Sequence, residues 1–73
     1  MLTRAKVMGS GTPGAIIHEI RKTKGLTIKQ VAKLSGVTES AISKYENDKR
    51  TPSMEIYSRI LDALDADIYI MHD

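Results

Sequence analysis

Residues 26–52, LTIKQVAKLSGVTESAISKYENDKRTP, leave little freedom in how this chain folds, because they spell two short helices joined by a tight glycine turn. Thr27 stands at an N-cap, Gln30 three residues later completes a capping box, and Leu26 and Val31 are spaced as the hydrophobic staple that fixes how the chain enters the helix. Gly36 has no Cβ and reaches the left-handed conformation cheaply, so it ends this helix and turns the chain through Val37 into Thr38, a second N-cap. In the next helix Ala41, Ile42 and Tyr45 form a narrow apolar stripe. Glu39, Ser40, Ser43, Lys44 and Asn47 fall on one outward face of side chains that donate and accept hydrogen bonds.

The chain has 73 residues, enough for one domain. A domain of this size buries only about 60% of its unfolded surface, so it gains much by pairing with a partner. With no cysteine it has neither disulfides nor a thiolate metal site. No apolar run approaches a membrane span and the N-terminus lacks a signal-peptide core, so no membrane association is expected. The net charge of +2 conceals a polarised chain. Residues 21–50 carry eight basic side chains against three acidic ones, a balance of +5, whereas residues 51–73 carry one against five, a balance of −4. Either the lysines merely solvate helix surfaces, or the basic half is the electrostatic footprint of a polyanion.

Residues 1–11 show no periodic pattern, and Gly9-Ser10-Gly11 reads as a hinge, which predicts a flexible N-terminal segment. Thr12-Pro13 supplies an N-cap and a proline at the first helical position, opening a helix that closes at Gly25 with Ile17 and Ile20 facing the core. Thr51-Pro52-Ser53 opens a further helix, capped by either Thr51 or Ser53, in which Met54, Tyr57, Ile60, Leu61 and Leu64 keep the helical period. The main domain is thus expected over residues 12–66. The tail, residues 67–73, changes character: Ile68, Tyr69, Ile70 and Met71 are β-branched, aromatic or apolar, and too few to bury a helical face. They predict a strand. Such a strand has no expected partner in its own chain, which points to two-fold pairing with the same strand of a second copy. The alternative is a tail folded back on the helices or frayed.

The pattern resembles the phage repressor and Cro-like (XRE-type) helix-turn-helix family. The elements that carry the resemblance run in order at family spacing: Arg21, Gly25-Leu26-Thr27, Val31-Ala32, Gly36-Val37, Ile42-Ser43, Tyr45-Glu46-Asn47 and Arg50-Thr51-Pro52-Ser53. Three positions depart from it. Asp48 stands where the family usually has glycine, Asp65 replaces the glycine after the last helix, and Ile28 sits where relatives often carry a phosphate-holding glutamine. The resemblance implies an all-α, lambda-repressor-like bundle of four to five helices, to which the short C-terminal strand would add dimer pairing. It also implies a sequence-specific regulator of transcription in a bacterial or phage cytoplasm, associated with the nucleoid, most simply a homodimeric repressor on a palindromic operator of double-stranded DNA.

On that basis the third helix enters the major groove, and Glu39, Ser40, Ser43 and Lys44 are the candidate base-reading residues. For Glu39 a structural role at the positive end of the helix dipole is an equal alternative. Candidate phosphate contacts are Thr27, Ile28, Lys29, Thr38, Asn47, Lys49 and Arg50, with the free amides at the start of the second helix contributing. For Thr27 the capping role suffices as an explanation and is the favoured one. The resemblance assigns Arg21 and Glu46 to a partly buried salt bridge, for which the planar guanidinium suits a carboxylate bidentately. Dimerisation falls to Ile68, Tyr69, Ile70 and Met71.

Catalysis finds no inventory here. His18 and His72 lack cysteine or suitably spaced carboxylate partners, and Gly9, Gly11 and Gly14 lack the strand and lysine of a phosphate loop. No enzyme activity, metal or cofactor is expected. A second hypothesis is an antitoxin or adaptor whose acidic fourth helix and tail hold a toxin or other partner protein, with DNA binding secondary or lost.

Overall fold

The computed structural model describes residues 5–7 and 11–68. In chain order its elements are β1 (Ala5–Val7), α1 (Pro13–Thr23), α2 (Ile28–Ser35), α3 (Glu39–Glu46), α4 (Met54–Ala63) and β2 (Ala66–Ile68). Each helix opens on a hydroxyl. Thr12, Thr27, Thr38 and Ser53 accept from the backbone amides of Ala15, Gln30, Ala41 and Ile56 at 3.0, 3.0, 3.1 and 3.2 Å. Each such cap satisfies an otherwise orphaned amide and contributes about 1 kcal/mol. The capping box is complete, since the Thr27 amide donates to Gln30 Oε1 at 2.8 Å. Of the two candidate caps for α4, Ser53 takes the role.

The helix ends explain two departures noted in the sequence. Asp48 and Asp65 hold positive φ, +57° and +54°, at the turns after α3 and α4. Aspartate tolerates the left-handed region better than most residues, so each does a glycine's work. After α3, the amides of Asp48 and Lys49 return to the carbonyls of Tyr45 and Lys44 at 3.0 and 2.8 Å, closing the paired bonds of a Schellman turn.

The core is drawn from all four helices, and its fully buried large side chains are Ile17, Val31, Ile42, Ile60 and Leu64. Removing each from water is worth about 1.5–3 kcal/mol. Helix α3 packs against α1 on one side and α2 on the other, while α2 also packs on α4. One polar atom is left over inside: the Tyr57 hydroxyl is buried without a hydrogen-bond partner among the described residues, and burial pushes its pKa up.

Two expectations need correction. Residues 1–11 are not wholly without regular structure, because Ala5–Val7 is strand. Nor is the C-terminal strand partnerless in its own chain: β2 pairs with β1 in parallel, in the register Ala5↔Ala66, Lys6↔Asp67 and Val7↔Ile68. The extended segment also begins earlier than expected, at Ala66, which is only 1% exposed and belongs to the core. Tyr69, Ile70, Met71 and His72 lie outside the described residues.

Candidate nucleic-acid interface

Helix α3 has a buried face and an open one. Ile42 and Tyr45 are buried and Ala41 is partly so, which turns Glu39, Ser40 and Lys44 outward as exposed residues, with Ser43 half-buried at the margin. Glu39 occupies the first turn of the helix, where the free amides and macrodipole favour a carboxylate.

The C-terminal end of α3 is fastened to α1. Arg21 donates from Nε to Glu46 Oε2 at 2.7 Å and from Nη2 to Oε1 at 2.9 Å, and its Nη1 reaches the Leu26 carbonyl at 2.8 Å. The guanidinium thereby joins α1, the turn before α2 and the last residue of α3. Both side chains are largely out of water, 11% exposed for Arg21 and 5% for Glu46. Burial alone would push the Glu46 pKa up, but the hydrogen bonds from Arg21 and His18, with their charges, outweigh it and hold the carboxyl below its ordinary range. For Arg21 the bond to Glu46 dominates over burial and raises the pKa, so the guanidinium stays charged.

His18 belongs to this cluster, with Nδ1 lying 2.8 Å from Glu46 Oε1. The sequence pairs it with nothing, because Glu46 is remote along the chain. One turn of α1 separates His18 from Arg21, and that spacing on a helix facing the same carboxylate is the signal that could have found it.

The expected phosphate-contact residues divide into two groups. Lys29, Lys49 and Arg50 are exposed, as is Lys44, and none forms an ion pair with another described residue. Thr27, Thr38 and Asn47 are also exposed but already committed locally. The two hydroxyls serve as caps, and the Asn47 amide donates to the Ser43 carbonyl at 2.8 Å, closing the end of α3. Ile28 packs against the core and offers only its backbone. That backbone opens α2 beside a shallow concavity lined by Arg21, Lys22, Gly25, Leu26, Thr27 and Ile28. The geometry therefore brings an exposed α3 face, flanking cations and the amide-rich start of α2 together with the Arg21–Glu46 anchor. It does not bring together any metal-ligating cluster among the described residues. No helix among them is long and apolar enough to cross a membrane.

A protein-family model described as helix-turn-helix matches residues 17–70, and the chain belongs to this family, in its XRE-type branch. Among its relatives, the HTH-type transcriptional regulator PuuR of Escherichia coli is 43% identical over 49 residues, which cover 67% of this chain and 26% of PuuR. PuuR of Shigella flexneri matches to the same extent. A putative HTH-type transcriptional regulatory protein of Methanocaldococcus jannaschii is 33% identical over 52 residues, covering 71% of this chain and 16% of that protein. The shared region is thus about a quarter or less of each relative's length. No solved structure matches the chain.

Proposed function

We propose that this chain is a sequence-specific DNA-binding regulator of transcription, acting as a dimeric repressor that lays α3 in the major groove of a palindromic operator. The observation that carries the proposal is the asymmetry of α3: its inner face and C-terminal end are fixed, while Glu39, Ser40 and Lys44 are exposed, with Ser43 at the margin, among cations that form no ion pair with another described residue. In this arrangement Lys44 donates to guanine O6 and N7, the serines donate or accept, and Glu39 accepts from the cytosine amino group. Lys29, Lys49 and Arg50 neutralise backbone phosphates, and the amides opening α2 at Thr27 and Ile28 hold another. Thr38 and Asn47 contribute chiefly by shaping the ends of the recognition helix.

One such helix reads only a few base pairs, too few for a useful specificity ratio in a genome, so the function calls for two copies. The C-terminal segment with Ile68, Tyr69, Ile70 and Met71 supplies the two-fold contact in this proposal, because β2 leaves the core extended and apolar in sequence. Selection of bound sites from random duplex DNA tests the proposal. A palindrome with half-sites about one helical turn apart is expected; recovery of sequences with no shared motif would overturn it. Truncation after Ala66 retains the buried alanine and should give a helical monomer with greatly weakened operator binding.

A further inference from the structure

Gly14, His18 and Arg21 fall within about 60° of one another around α1, and all three meet the last two residues of α3. Gly14 lies against the Tyr45 backbone. Arg21 donates twice to the Glu46 carboxylate, and His18 adds a third contact, Nδ1 to Oε1 at 2.8 Å. The His18 side chain is 52% exposed, whereas the carboxylate it reaches is only 5% exposed. Against burial, the hydrogen bonds from Arg21 and His18 hold Glu46 ionised. An ionised carboxylate can only accept, so Nδ1 carries a hydrogen and donates it. Oε1 thus takes one donor from each residue, with Arg21 Nη2 and His18 Nδ1 3.4 Å apart.

The two donors constrain α3 differently. Arg21 reaches Glu46 through a long side chain rich in rotamers, so its guanidinium can follow the carboxylate as α3 tilts. The imidazole sits on a short arm one turn nearer the start of α1, and it fixes a separation that Arg21 alone leaves adjustable. Resting on the reading of α3 as the helix that enters the major groove, we propose that His18 is a positioning residue for that helix. Its bond to Glu46 sets the tilt at which Ser40, Ser43 and Lys44 meet the base edges. Such contacts need their side chains within about 0.5 Å of the productive geometry. Long cations such as Lys29, Lys49 and Arg50 instead adapt to a phosphate from a range of positions, and phosphate contacts carry no sequence information. Loss of the His18 bond therefore costs sequence discrimination before it costs general affinity for DNA.

His18→Ala and His18→Asn, each in the full chain, test this. Alanine removes the donor and suits the helix, while asparagine puts an N–H donor, Nδ2, back where Nδ1 stood. Affinities for the selected operator and for random duplex are measured side by side, and their ratio is the readout. A variant that was merely less stable would lose both affinities in the same proportion and leave the ratio unchanged. His18→Ala should lower the ratio about tenfold, about threefold from each copy of the dimer, with random duplex bound as before to within about twofold. His18→Asn should recover most of the loss. If the unaltered chain discriminates operator from random duplex and His18→Ala keeps the full ratio, the role of His18 is wrong while the DNA-reading assignment stands. An equal loss in both variants would trace the effect to the bulk of the ring instead of the hydrogen bond and overturn the proposal too. An unaltered chain that shows no discrimination removes both.

Discussion

Gly14, in the first turn of α1, lies directly on the backbone of Tyr45, in the last turn of α3. A Cβ at position 14 would run into the Tyr45 carbonyl and stand 3.2 Å from Asp48 Oδ1. Seven residues further along α1, Arg21 grips Glu46. The end of α3 is therefore held at two places on the same helix, once by close backbone approach and once by charge, while Glu39, Ser40 and Lys44 on its outer face stay exposed.

Gly14→Ala should force α1 and α3 apart. Overpacking of this kind typically costs about 1–3 kcal/mol, and operator affinity should fall with it because the recognition helix is re-aimed. Urea unfolding measures the first and a DNA titration the second. A variant as stable as the parent would mean the two helices are not in backbone contact.

Arg21→Ala leaves the Glu46 carboxylate largely out of water without its bidentate partner, and loss of about 3–5 kcal/mol is expected from breaking such a pair. Arg21→Lys should recover only part of it, since an ammonium cannot make both bonds. The effect has a definite pH dependence. Glu46 is lowered in the folded state, so its stabilisation is fully present above the ordinary glutamate range and disappears as pH falls through the lowered value. The stability gap between parent and Arg21→Ala should narrow in acid through that window. A gap that widened there would contradict the assigned ion pair.

Much of this anchoring is legible in the residues themselves. The capping box at Thr27 and Gln30, the turn at Gly36 and the stripe of Ile42 and Tyr45 are local patterns, and local patterns survive into the fold because each satisfies its own amides or buries its own face. What the sequence conceals is non-local. Ala5–Val7 is too short for its alternation to register, and it is a strand only because β2 lies beside it. Gly14 passes for one of several scattered glycines until α3 is laid across it. His18 has no sequence neighbour to suggest Glu46. The base- and phosphate-contact assignments rest on position relative to α3.

Asp48 holds a left-handed conformation that costs most L-residues about 1–2 kcal/mol and aspartate less. Asp48→Gly should therefore raise stability by about 0.5–1 kcal/mol, an estimate reduced by the extra freedom glycine gains in the unfolded chain. Thermal melts of the two proteins decide this; a lower midpoint for the glycine variant would show that the Asp48 side chain contributes contacts that outweigh its backbone strain.

Lys44 and Arg50 are both exposed cations but should behave differently on DNA. Lys44→Ala should weaken operator binding by about 1–3 kcal/mol per half-site and relax preference at one base pair in each, whereas Arg50→Ala should weaken all sequences alike and reduce the salt slope by about two, one for each copy. Competition with single-substituted operators separates the two. Uniform loss in both variants would move Lys44 from base reading to phosphate contact.

The proposal that this fold presents a basic, DNA-reading face is tested most directly by titrating the selected operator over a series of salt concentrations. Contacts from Lys29, Lys49 and Arg50 to phosphates in each copy must displace condensed counterions, so the logarithm of the association constant should fall linearly with the logarithm of salt. The slope should lie near −0.9 for each phosphate neutralised, about −5 or steeper for the dimer. An affinity indifferent to salt, or equal for operator and random duplex at every salt concentration, would contradict the account.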